Sequence, residues 1–310
     1  MLVLNREDLL KLLDVKVAVN SMKEAFYKFY TKDIVQSPRQ VLTIKSNWWG
    51  IMPAFQNKGF TLKIVNVINE NVKRGLPTIQ GIVILMSVDD GRPLAIIEGS
   101  TLTAIRTAAT SLLSTELALG SNKKIETLGV IGAGTEAYYH ILMARQYFKI
   151  DRILITARKS HVELAKKLNV EAVDITTLLR ESNVIFTTTS SNTPVVFGSL
   201  LREDFHVVSI GAHTPNAREL DDDVIVRAKT IFADHLEAVK SESGDFIIPE
   251  SKGLFKDKRL YSLGEIIAEG LKVERPSVFK SVGIPAQDNA IAITLYEEAL
   301  KRGIGKVIEF

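Results

Sequence analysis

The 310-residue chain is 46% hydrophobic and only 24% charged, which is enough apolar material for two buried cores and rules out a disordered polymer. Its 39 basic and 36 acidic residues leave a formal net charge of +3 without long single-sign runs, so charge argues for neither a nucleic-acid nor a membrane surface. Cysteine is absent, which removes disulfides, thiol nucleophiles and thiolate metal sites together.

The opening Met1-Leu2-Val3-Leu4-Asn5-Arg6 turns charged too soon for a signal peptide, and no apolar run reaches membrane-spanning length, so cytoplasmic residence is expected. Residues 5–32 read as two helices, with Asn5 as a cap and Val15, Val19, Met22, Phe26 and Phe29 as an apolar stripe suited to a core. From Val41 onward the pattern changes to strands, at 40–44, 48–53, 60–67, 81–87 and 93–98, with a hairpin turn at Asp89-Asp90-Gly91. These five strand signals have few helices to cover them, which predicts a two-fold interface between copies. A helix over 101–119 ends at Gly120, the expected domain boundary.

Beyond it lies the most informative stretch, Gly129-Val130-Ile131-Gly132-Ala133-Gly134-Thr135-Glu136-Ala137. A buried strand over 128–131 runs into a helix over 138–148, with glycines between them. In that setting Gly132 permits the tight turn, Gly134 lets the backbone approach a pyrophosphate, and Ala137 allows close helix packing. The helix N-terminus supplies amides and the positive end of its dipole. Further strand signals at 152–157, 183–189, 207–211 and 230–233, with helices at 162–168 and 175–181, imply a parallel sheet with right-handed crossovers. Ligands then bind beyond the carboxyl ends of the strands, where Arg158, Thr188, Thr189, Ser190, Ala212 and Asp234 fall.

The second strand ends Thr156-Ala157-Arg158-Lys159-Ser160 and offers no carboxylate for a ribose 2′-hydroxyl; Asp151 is at its other end. Arg158 and Lys159 suit a 2′-phosphate, which favours NADP(H) over the still possible NAD(H), unless they are an ordinary solvated pair. Arg39, Lys63 and Arg106 stand in apolar surroundings, where a cation is costly unless it meets an opposite charge or faces a cleft. Each is either a ligand group or structural: Lys63 on a wet sheet face, or Arg106 paired with Glu98 or Glu116.

Together these segments resemble the ornithine cyclodeaminase and mu-crystallin family over nearly the whole chain. The matching runs include Ser37-Pro38-Arg39, Met52-Pro53-Ala54, Leu62-Lys63, Gly75-Leu76-Pro77-Thr78 and Leu102-Thr103-Ala104-Ile105-Arg106-Thr107-Ala108-Ala109. They continue through Gly132-Ala133-Gly134-Thr135-Glu136-Ala137, Thr187-Thr188-Thr189-Ser190-Ser191, Ile210-Gly211-Ala212, Arg218-Glu219-Leu220-Asp221 and Phe279-Lys280-Ser281-Val282-Gly283.

The resemblance implies an α/β architecture: a Rossmann-type dinucleotide-binding domain over 121–285, and an α+β substrate and dimerisation domain over 1–120 rejoined by a C-terminal helix within 286–310. It implies that Arg39, Arg106 and Met52 line the substrate and that Lys63 holds its carboxylate or moves a proton. Thr107, Gly132, Gly134, Thr135, Glu136, Ala137, Arg158, Lys159, Thr188, Thr189, Ser190, Gly211, Ala212, Val282 and Gly283 are the expected cofactor contacts. An acid–base Asp is implied in Arg218-Glu219-Leu220-Asp221-Asp222-Asp223, with Asp223 favoured and Asp221 second; both also suit the cap of a helix over 224–228. No metal is implied. The expected chemistry is hydride transfer at Cα of an α-amino or cyclic α-imino acid, by an imine reductase or an amino-acid dehydrogenase such as alanine dehydrogenase, in a homodimer. The alternatives are redox-neutral ornithine cyclodeamination and nucleotide-dependent ligand binding of the mu-crystallin type. Trp48, Trp49, Phe55 and His213 are candidate pocket walls, the two tryptophans equally candidates for core or dimer aromatics.

Overall fold

Asn5 starts the first helix by a reciprocal cap. Its side chain accepts from the Asp8 amide at 3.0 Å, and Asp8 accepts from the Asn5 amide at 3.1 Å, which satisfies two otherwise orphaned donors of α1 (Arg6–Leu12). Asp14 caps α2 (Val15–Tyr30), whose Val15, Val19, Met22 and Phe26 are buried as the stripe requires. The computed structural model describes residues 1–309. It divides into two units, one formed by Met1–Arg106 with the segment from Ile284 onward, the other by Thr107–Gly283.

The first unit is built on a sheet. Strands β1 (Leu2–Leu4), β2 (Val35–Gln36), β3 (Gln40–Ile44), β4 (Asn47–Gln56), β5 (Gly59–Val67), β6 (Ile79–Met86), β7 (Pro93–Glu98) and the late strand β16 (Lys306–Val307) are ordered β16-β1-β7-β6-β5-β4-β2, with β3 on β4. The four long central strands are antiparallel neighbours, and alternation sets their two faces. Met52, Ala54, Val65, Val83, Leu85, Ala95 and Ile97 are buried, on the side packed by α11 (Pro285–Arg302), against which α2 packs in turn. The other face carries Ile51, Pro53, Phe60, Leu62, Ile64, Ile82, Ile84 and Ile96, none of them buried and Ile82 43% exposed. A sheet that is apolar on both faces is built to be covered on both. Helix α3 (Gly99–Leu119) ends at Gly120, in the left-handed region at φ +64°. The division between the units falls inside α3, after Arg106, ahead of the expected boundary at Gly120.

The second unit is the parallel sheet expected of alternating strands and helices. Its strands are β8 (Lys124–Ile131), β9 (Lys149–Thr156), β10 (Glu171–Ala172), β11 (Val184–Thr187), β12 (His206–Ser209), β13 (Thr230–Ala233), β14 (Leu260–Ser262) and β15 (Ser277–Lys280), ordered β10-β9-β8-β11-β12-β15-β13-β14. Chain order reverses at β8, flanked by β9 and β11, so the carboxyl end of β8 is the topological switch point where open α/β sheets bind ligands. Strand β15 lies between β12 and β13 and has no counterpart in the sequence-based expectation. Its four residues carry Lys280, which breaks the apolar run that marks a buried strand. Among the described residues no helix is long and apolar enough to cross a membrane.

Candidate active site

Two sets of functional groups form, one in each unit. In the second, β8 delivers Gly132 at φ +124°, and a Cβ there would strike Thr188. The Gly132 amide donates to the Thr156 carbonyl and the Thr188 amide to that of Ile131, which ties the ends of β9 and β11 to the turn. Gly134 is the N-cap of α4 (Thr135–Tyr147) and has no side-chain cap bond. Nothing lies within 4 Å of where its Cβ would stand. The turn is therefore open over Gly134 and packed at Gly132 and at the buried Ala137. That combination fits a phosphate seated on the α4 amides, as a dinucleotide requires.

Arg158 and Lys159 are exposed directly after β9, and Ser160 sits in the left-handed region ahead of α5 (His161–Leu168). Asp151 pairs with Lys124 at 2.7 Å at the opposite end of the strand. The segments after β11 and β12 are bound to each other by a group that motif reading did not assign, the fully buried Glu219. Its carboxylate accepts from the amides of Thr189 and Gly211, at 2.9 and 2.8 Å, and from the hydroxyls of Thr187, Thr189 and Ser209. Behind it the buried Asp245 accepts from the Glu219 and Leu220 amides and from Lys280 Nζ at 3.0 Å. Asp234 directly follows the carboxyl end of β13, the expected edge, and is buried there. It accepts from Ser281 Oγ and from the amides of His235, Val282 and Gly283. The Val282 and Gly283 amides are thus engaged within the protein.

Asp221 takes the helix-capping alternative: it caps α7 (Asp222–Arg227), accepting from the Val224 and Gly198 amides, both at 3.0 Å. Asp222 pairs with Lys252 and Arg218. Asp223 is exposed in the first turn of α7.

The first unit gathers the cations. Met52 on β4 faces Lys63 on β5. On the other side of β4, Gln40 pairs with Ile51, so the preceding Arg39 follows on in the register toward Met52. Lys63 is 1% exposed and Arg106 6%, so neither cation lies on a wet face. Lys63 is on the buried sheet face, and the two carboxylates weighed for Arg106 bond to other groups. Glu98 accepts from the Ser100 and Thr101 amides at the start of α3, and Glu116 pairs with Lys123. The partner of both cations is Asp288, fully buried in the first turn of α11. Its two oxygens accept from Lys63 Nζ at 2.9 and 3.0 Å, and one accepts from Arg106 Nε at 3.2 Å. Gln287, next to it, accepts from the Ile284 amide at 2.7 Å and from Arg106.

Burial is the largest influence on Lys63 and lowers its pKa from 10.5 to about 8; Asp288 opposes this, while Arg106 and Arg39 add to it. An amine that titrates near neutrality beside two guanidinium groups is equipped to hold a carboxylate and to move a proton. Asp288 and Gln287 gave no sequence signal, because their role depends on folding the C-terminal helix back onto residues more than 180 positions away. Trp48 shares the Lys63 face of the sheet, whereas Trp49 and Phe55 alternate to the other face with Ile51 and Pro53. His213 is exposed after β12, its Nδ1 2.8 Å from the Gly211 carbonyl.

Known proteins match this chain over its whole length. The family model described as "Ornithine cyclodeaminase/mu-crystallin family" matches residues 1–303. A Delta(1)-pyrroline-2-carboxylate reductase of Bacillus cereus is 33% identical, with 100% of both chains covered. The Thermococcus litoralis Delta(1)-pyrroline-2-carboxylate reductase, solved in complex with NADH and L-proline, superposes with a TM-score of 0.91 at 30% identity, covering 99% of this chain and 100% of that one. An archaeal alanine dehydrogenase dimer with bound NAD gives 0.89 at 30% identity, covering 100% and 99%. With the dinucleotide turn, the parallel sheet and the match all agreeing, the chain belongs to the ornithine cyclodeaminase/mu-crystallin family.

Proposed function

We propose that the protein reduces α-imino acids, or oxidises the corresponding α-amino acids, at Cα. The observation that carries this reading is the pairing of Lys63 and Arg106 with the buried carboxylate of Asp288, with the charge of Arg39 also felt at Lys63 and Lys63 brought to about 8. Two buried cations that share one carboxylate suit a carboxylate-bearing substrate. Guanidinium groups grip a carboxylate through paired donors, whereas the compact ammonium of Lys63 is the better proton carrier.

A nicotinamide dinucleotide would be held at Gly132, Gly134 and the first turn of α4, and would supply the two-electron reducing power. The chain's own residues do the rest. Arg39 and Arg106 hold the carboxylate and so orient the adjacent C=N bond. Lys63, as the ammonium, delivers the proton to the imine nitrogen while Cα gains the hydride; the product is the amine, and Lys63 is left neutral. In the oxidative direction neutral Lys63 takes that proton back. Asp288 keeps Lys63 protonated near neutral pH and fixes its direction. Catalysis by Lys63, substrate binding by Arg39, Arg106 and Met52, and cofactor binding after β8, β11 and β12 are all parts of this reading, and it leaves Asp221 and Asp223 without a chemical role.

Arg158 and Lys159, with no carboxylate at the end of β9, support a preference for NADP(H). The bare apolar face of the first unit's sheet supports a homodimer formed through that face. The test is a substrate screen with both cofactors, following nicotinamide absorbance and ammonia release separately. Reduced cofactor should be consumed with pyrroline- or piperideine-2-carboxylate, or with pyruvate plus ammonia. Ammonia released from ornithine without net reduction would overturn the reductase reading.

A further inference from the structure

The strand that carries Met52 also carries a seat for an aromatic ring. Along β4, Trp48, Gly50, Met52 and Ala54 share one face by alternation, and across β5 they oppose Val67, Val65, Lys63 and Thr61. A Cβ placed on Gly50 would meet the outer edge of the Trp48 indole, with Cη2 at 2.5 Å, Cζ3 at 3.0 Å and Cζ2 at 3.1 Å. The ring is folded forward along its own strand onto the bare glycine, toward Met52 and its partner Lys63. Only glycine leaves room for this, and Gly50 lies diagonal to Lys63 on the same face, within reach of a long side chain.

We propose that Trp48, seated on Gly50, is the specificity-determining side chain of the Lys63 site, and that it selects cyclic α-imino acids whose ring is completed by methylene groups alone. This rests on the imine-reductase reading above. With the carboxylate held by the cations, the atoms attached to Cα need a wall, and a flat indole gives the methylenes of a five- or six-membered ring more contact than it gives a methyl group. Charge decides against basic side chains. The positions on this face around Lys63 are Gly50, Met52, Ala54, Thr61, Val65, Gly81, Val83 and Leu85, none acidic. The carboxylate supplied by α11, Asp288, already binds Lys63 and Arg106. An open-chain ammonium side chain finds no counter-charge on this face, whereas the closed ring needs none.

The chain has two tryptophans, which provides a readout independent of turnover. In the Trp49→Phe protein all indole emission comes from Trp48. Titration with pyrrole-2-carboxylate, a planar analogue that cannot be reduced, should change that emission saturably, while the Trp48→Phe protein should show no change. In kinetics, Trp48→Ala should lower kcat/KM for pyrroline-2-carboxylate on the order of tenfold or more, and for pyruvate plus ammonia less than about threefold. Equal losses on both substrates, or silent Trp48 emission while the analogue still inhibits, would overturn the assignment. Should the wild type reduce no imino acid with either cofactor, the functional reading falls, and the emission titration still decides whether a planar carboxylate meets Trp48.

Discussion

Replacing Asp288 by Asn would probe the acid–base assignment directly, because it removes the one charge that raises the pKa of Lys63 while keeping nearly the same volume. An opposite charge in direct contact is worth about 1–3 pKa units, so Lys63 should fall from about 8 to about 6 in the variant. As Lys63 acts as an acid in the reductive direction, activity needs its protonated form and declines as pH rises through its pKa. At pH 8 about half of the wild-type sites carry the proton, against about 1 in 100 in the variant. The variant should therefore be slower by about 50-fold there, on top of any pH-independent loss from a misoriented Arg106, and the pH-dependent deficit should nearly vanish by about pH 5.5.

Stability should move in the opposite sense along the pH axis. A lysine whose folded pKa lies below its unfolded value destabilises the fold where it must be protonated, and that cost disappears as pH rises toward the unfolded value of 10.5. Stripped of its partner, a buried charge costs about 3–5 kcal/mol, so the variant's melting-temperature deficit should be larger at pH 6 than at pH 9. The assay is kcat/KM for imine reduction from pH 5.5 to 9.5 in both proteins, with melts at pH 6 and pH 9. An alkaline limb at the same pH in both proteins, with the variant slower by one constant factor, would refute the reasoning.

Gly134→Val should raise the dissociation constant for the reduced cofactor about tenfold or more while leaving the melting temperature nearly unchanged, because the space above Gly134 is empty of protein; isothermal titration and a melt separate the two effects. Arg158→Asp should weaken NADPH far more than NADH, since it exchanges a phosphate partner for a hydroxyl acceptor; equal effects in a fluorescence binding assay would count against the NADP(H) preference. Leu62→Glu, on the bare face of the first unit's sheet, should shift the mass measured by light scattering at micromolar protein from two chains to one; a wild-type monomer would sink the dimer proposal.

Local chemistry made much of this protein legible from its residues alone. The Asn5 cap, the alternating strands from β3 to β7, the terminating Gly120 and the turn through Gly132 and Gly134 each depend on neighbours within a few positions, and period and turn residues report such features directly. Three cations in apolar segments were visible as an oddity for the same reason. What resolved the oddity was not local. Asp288 meets Lys63 from 225 positions away, and nothing in the α11 sequence distinguishes a carboxylate buried against two cations from one that faces water. The four-residue β15 escaped notice because Lys280 interrupts its apolar run, and only the tertiary fold supplies Asp245 to neutralise it. The same limit applies to the tryptophans: adjacent in sequence and alike in composition, they are separated by the two-residue period of a strand, and only the registered sheet shows Trp48 on the Lys63 face and Trp49 on the opposite one.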